Sequence, residues 1–124
     1  MKYVDIYCIG VSDSSHIGAW AALLRYKGYE KIIRGKIENT NEIRATMIAI
    51  IKGLECLKEP CNVTVYTQLD FIPKAFELGW RRRSNLDLWH RIDELDEIHS
   101  VKYKWYTKIA TVFIAADKKR GENV

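Results

Sequence analysis

"TNEIRATMIAIIKGLECLKEPCNVTVYTQ", residues 40–68, holds the two patterns on which the fold turns. Ile43, Met47, Ile50, Ile51, Leu54 and Leu57 recur at three- and four-residue spacing, which gathers them on one side of a helix. The spacing predicts an amphipathic helix over about 40–58, with Asn39 as N-cap, Glu42 at the N3 position of a capping box, and Pro60 closing it. Directly after it, NVTVYTQ (62–68) is a short β-branched strand. A strand that precedes the helix reaches this one by a crossover, the usual way to set two strands parallel.

Upstream, residues 2–11 alternate, with Val4, Ile6 and Cys8 on one face of a pleat, and residues 17–27 read as a second strand. Lys27-Gly28 turns into a third, YEKIIRGKIE (29–38), so the first three strands form an antiparallel meander. Downstream, residues 69–79 form a short helix ended by Gly79. Ser84 and Asp87 have capping-box spacing before a stripe of Leu88, Trp89, Ile92 and Leu95 that runs to about 97. SVKYKWYT (100–107) alternates as a fifth strand, and a last helix covers about 109–120, where Lys118, Lys119 and Arg120 suit its C-terminus. The order is βββαβααβα, an α/β chain.

The 124 residues suit one domain, 1–124, able to bury roughly two-thirds of its unfolded surface. With 48% hydrophobic and 29% charged residues, a disordered chain is excluded. No apolar run approaches the ~20 residues that span a bilayer, and MKYVDIYC has acid and aromatic residues where a signal peptide has an apolar run. The expectation is a cytoplasmic protein without membrane contact. Cys8, Cys56 and Cys61 form no Cys-x-x-Cys pair, which argues against a disulfide framework or a zinc site; Cys8 and Cys56 read as small core residues. A net charge of +4 is compatible with a polyanionic partner but is shared by many ordinary proteins.

This order, with its motifs, resembles the ribonuclease HI family over almost the whole chain. LRYKGYEK (24–31) resembles the family's second hairpin turn. In residues 40–68, Arg44 and the run Leu54-Glu55-x-Leu57-Lys58-Glu59 fall in place without gaps. NLDLWHRIDEL (85–95) and KYKWY (102–106) resemble the late helix and last strand. The resemblance implies a five-stranded mixed sheet, three antiparallel strands then parallel ones, with helices on both faces. It also implies four carboxylates holding two Mg²⁺ ions.

Carried over one by one, those carboxylates fall on Ile9 (or Cys8, with a slip of one), Thr46, Gln68 and Asp117. Only Asp117, in AADKK near the start of the last helix, is an acid. The assisting loop histidine falls near Ile109, in a shortened loop. Asp13, Asp70 and Glu42 could rebuild a metal site only by converging; alone they read as turn residues and a capping glutamate.

Binding signals are separate from these. GWRRRS (79–84) sets Trp80 beside Arg81, Arg82 and Arg83, either an aromatic platform with phosphate-reading guanidiniums or a solvated basic turn with Trp80 packed inward. The family's hybrid-reading asparagines precede its first-helix arginine; here Glu42 and Ile43 stand there, with Asn41 nearby and Arg44 retained. Lys102 and Lys104 read as a solvent face, and His16, His90 and His99 lack ligand spacing. The expectation is an RNase H-like module without catalytic activity or metal cofactor. Its partner would be nucleic acid (RNA–DNA hybrid, duplex or single strand) or protein. The alternative is a divergent Mg²⁺-dependent ribonuclease H.

Overall fold

The computed structural model describes residues 1–122, with side chains through Lys118. The elements follow in order: β1 (Lys2–Ser12), β2 (Gly18–Tyr26), β3 (Tyr29–Ile37), α1 (Glu42–Glu55), β4 (Cys61–Thr67), α2 (Phe71–Leu78), α3 (Leu86–Ile98), β5 (Ser100–Trp105) and α4 (Ile109–Glu122). One sheet contains all five strands in the order β3-β2-β1-β4-β5. The β1–β2 and β2–β3 pairs are antiparallel, and β1–β4 and β4–β5 are parallel. The meander and the crossover stand as the sequence predicts. Lys27 (φ 46°) and Gly28 (φ 83°) are both left-handed, which matches the twist of a two-residue hairpin.

Two caps differ from expectation. Asn41, not Asn39, caps α1: it is extended (φ −133°, ψ 175°) and its side chain accepts the Arg44 N–H. An N-cap needs extended backbone, and Asn39 is left-handed at φ 51°. The Ser84–Asp87 box does not form; Asn85 occupies the cap position in left-handed geometry without a side-chain capping bond, and Asp87 turns to Arg44. Lys119 and Arg120, expected as C-terminal cations of α4, have side chains outside the described residues.

Alternation along β1 divides the core. Val4, Ile6 and Cys8 meet Met47, Ile50 and Leu54 of α1 together with Ile72, Trp89 and Ile92 of α2 and α3. The opposite face carries a smaller cluster in which Leu23 of β2 meets Ile109, Phe113 and Ala116 of α4. Beside it Tyr7 and Tyr66 stack across β1 and β4 at 4.5 Å. Cys8 is buried, as expected, while Cys56 is half-buried at the end of α1; all three cysteines are free. Among the described residues no helix is long and apolar enough to cross a membrane.

Candidate functional site

The strand ends and the start of α1 converge because of one residue without a side chain. A Cβ on Gly10 would overlap the backbone of Ala45 and Thr46, so α1 sits directly on β1 there. In the parallel register Cys8 is opposite Thr67, the last residue of β4, which leaves Ile9 and Gln68 next in line, with β1 continuing to Ser12. Ile9 and Gln68 therefore follow paired neighbours where β4 ends, and Thr46 backs onto Gly10, the residue next to Ile9.

Their chemistry is uncharged. Ile9 is half-buried against the α4 cluster. Thr46 is buried and its hydroxyl donates to the Glu42 carbonyl at 2.8 Å, the bond of a threonine folded back on its own helix. At Gln68 the backbone carbonyl accepts the Trp105 indole N–H at 3.1 Å.

Asp117 stands differently from its sequence assignment. The connection after β5 is only Tyr106–Lys108, so α4 starts at Ile109 and Asp117 lies two turns inside it. Ile109, where the loop histidine was expected, is fully buried. Arg34 of β3 donates to both Asp117 oxygens at 2.8 and 3.0 Å. Since Arg34 pairs with Ala21 and Ala21 with Ile9, the one matching acid is tied to a residue of β3, two strands away from Ile9. Arg34 was invisible as a partner in the sequence, being 83 residues distant.

Two of the other candidate acids, Asp13 and Asp70, have local partners. Asp13 accepts the backbone N–H groups of Ser15 and Ile17 at 2.8 and 3.1 Å, the turn role expected of it. Asp70 pairs with Lys74 at 3.3 Å on α2, and Glu42 is exposed in the first turn of α1. Among the described residues no three His, Cys, Asp or Glu side chains gather so as to hold a metal ion. His99 is buried, with Nδ1 accepting the Cys61 N–H at 3.1 Å; burial pushes its pKa below the ordinary 6.5.

The basic turn splits in two. Trp80 is 48% exposed, so it does not pack inward, and Arg81 and Arg83 are exposed with it. Arg82, expected at the same phosphate-reading surface, is instead turned into the fold. Its guanidinium lies 4.1 Å from the centre of the Trp89 ring and 5.0 Å from that of Phe76, and it pairs with Asp93. Aromatic faces attract a guanidinium strongly when water is excluded, which explains the choice. Arg44 is likewise engaged. It donates to both Asp87 oxygens at 3.1 and 2.9 Å and to Asn85 at 3.1 Å. That contact holds the Asp87 carboxyl down at about 2. Asn41 spends its side-chain oxygen on the cap, leaving its exposed amide nitrogen for other partners.

The architecture and these motifs define an RNase H-like α/β protein, and comparison makes the relationship explicit. The chain is 39% identical over 119 residues to a ribonuclease H of Caldicellulosiruptor saccharolyticus, an alignment covering 84% of this chain and 82% of that one. Its fold matches the N-terminal RNase H domain from Mycobacterium tuberculosis with a TM-score of 0.76 at 15% identity, over 91% of this chain and 88% of that one. It matches LC11-RNase H1, solved in complex with an RNA/DNA hybrid, with a TM-score of 0.72 at 14% identity, over 85% and 86%. No family model matches the chain. At this level of identity and coverage the chain belongs to the ribonuclease H family.

Proposed function

We propose that this protein is a non-cleaving member of the ribonuclease H family, a single cytoplasmic binding domain (residues 1–124) that engages nucleic acid through its basic turn. The observation that carries the reading is Ile9. Mg²⁺ takes hard oxygen ligands and keeps close to octahedral geometry, usually with one or two carboxylates and substrate phosphates. A two-metal mechanism further needs the pair to clamp the attacking and leaving oxygens. An aliphatic side chain, a hydroxyl already donating within its helix and an amide at the three family-matched positions do not fit such a pair. Asp117 is neutralised by Arg34. Three free cysteines agree with a reducing compartment.

Nucleic-acid binding is supported by the exposed trio Trp80, Arg81 and Arg83 and by the hybrid found with the LC11 relative. The guanidiniums would take phosphates and the indole would stack on a base. A divergent metal-dependent ribonuclease H remains the competing reading, favoured by the 39% identity to a curated ribonuclease H.

One experiment divides the readings. Purified protein is incubated with labelled RNA–DNA hybrid and Mg²⁺ or Mn²⁺, and both binding and cleavage are followed. Binding without cleavage is expected. Metal-dependent cleavage abolished by Asp117→Asn would establish the enzyme instead. Failure to shift any nucleic acid at low salt would leave protein interaction as the function. Joint replacement Ile9→Asp, Thr46→Glu and Gln68→Asp is expected to create Mn²⁺ affinity measurable by calorimetry; a folded triple variant without it would show that these positions do not share a site.

A further inference from the structure

We propose that the face of β1 carrying Ile9 is a docking groove for an amphipathic helix of a partner protein, one with acidic residues along one flank. The groove uses a different surface from the basic turn and does not rest on nucleic-acid binding. Strand register builds it from two transverse rows, Ile9–Ala21–Arg34 and Val11–Ala19–Lys36. Ile9 and Val11 form one wall, Arg34 and Lys36 the other, and two alanines the floor between them. The walls stand two strand spacings apart, roughly 10 Å, and enclose a cleft of about 350 Å³. Val11 is 55% exposed, an apolar wall with nothing against it.

Two features identify the occupant. Alanine is disfavoured in strands because it packs little; Ala21, with Ile9, already packs against the α4 cluster, and Ala19, one row further, leaves room for something that approaches the sheet closely beside α4. The opposite face shows what that is: Ala22 and Gly10 lie beneath α1, and small residues there let the helix sit on the strands. The second feature is charge. Just beside the groove, α4 lies on this same face and offers Asp117 to Arg34 at 2.8 Å. Lys36 stands two residues further along β3, with no carboxylate in ion-pair range among the described residues. A second helix alongside α4, filling the alanine floor with leucine-sized side chains and giving Lys36 an acid, repeats an arrangement the chain already contains. On this reading isoleucine at position 9 is an apolar wall of a binding surface.

The test uses two helical peptides with the same leucine face, one flanked by glutamates and the other by lysines, and follows their fluorescence anisotropy with the intact protein. The glutamate peptide is expected to bind and the lysine peptide not. Val11→Asp should weaken binding at least about tenfold, and Lys36→Glu should reverse the preference; both positions are exposed, so circular dichroism should be unchanged. Arg81→Ala with Arg83→Ala should leave peptide binding intact, which keeps this result apart from the nucleic-acid reading. Binding of neither peptide, equal binding of both, or indifference to Val11→Asp and Lys36→Glu would overturn the proposal. So would displacement of the peptide by RNA–DNA hybrid, or a dimer in sedimentation that Val11→Asp dissolves, since nucleic acid or a second copy would then be the occupant.

Discussion

Gly10 and Ile9 are neighbours on β1, yet one faces a closed surface and the other an open one. At Gly10 the sheet and α1 are so close that no side chain fits. At Ile9, on the α4 face, the side chain is half-buried and borders an open cleft. The difference separates what holds the fold from what can change. The α1 face keeps its packing of Ile6, Cys8, Met47 and Ile50, all fully buried. A substitution on the other face alters the chemistry of β1 without touching that core.

Breaking the closed side should have the largest effect. Gly10→Ala forces backbone apart, and overpacking of this kind costs about 3 kcal/mol or more where nothing flexible can yield; urea denaturation should show it, whereas Val11→Ala on the open side should stay within about 0.5 kcal/mol. A retained midpoint in Gly10→Ala would mean that α1 is free to lift.

The basic turn offers a second contrast at smaller scale. Arg82→Ala removes a guanidinium lodged against Trp89 and Phe76 and should lower stability by about 1–2 kcal/mol. Arg81→Ala and Arg83→Ala, both exposed, should be nearly silent in denaturation. Their effect should instead fall on nucleic-acid affinity. With two phosphates given up, the log–log salt slope on duplex DNA flattens by roughly 1–2 units. Equal stability losses at all three arginines would erase the distinction between the buried and the exposed members.

Acid should act on two groups in opposite states of burial. His99 is buried neutral, and its folded pKa lies below 6.5. The unfolded chain therefore takes up a proton first, and stability should fall as pH drops from about 6.5 through the folded value. His99→Gln should flatten that decline. Asp87 is exposed, with its carboxyl held at about 2 against an ordinary 3.8 by Arg44. Its contribution is present above 3.8 and is lost as pH falls toward 2. This effect should be the smallest, read as the difference between wild type and Asp87→Asn in acid denaturation.

Periodicity made the elements legible: the apolar positions Ile43, Met47, Ile50, Ile51 and Leu54 of α1 and the alternation of β1 each allow one kind of element. The caps were less so. Asn39 and Asn41 are the same residue two positions apart, and only the backbone path into the helix decides between φ 51° and φ −133°. Arg81, Arg82 and Arg83 are likewise indistinguishable as letters. Arg82 goes inward because α2 and α3 bring Phe76 and Trp89 together at 5.7 Å, making an aromatic pocket that no local pattern announces.

By itself the sequence determined the order of elements, the pleat of β1 and the side-chain chemistry at Ile9, Thr46 and Gln68, because periodicity and residue type are local properties. Tertiary structure alone decided which charges are spent. Asp117 meets Arg34 across 83 residues of chain, and Arg44 meets Asp87 across 43. It also decided that two alanines of β2 lie between an apolar and a cationic wall. Such pairings depend on strand register and helix placement, which emerge only when the sheet assembles and brings distant residues within reach.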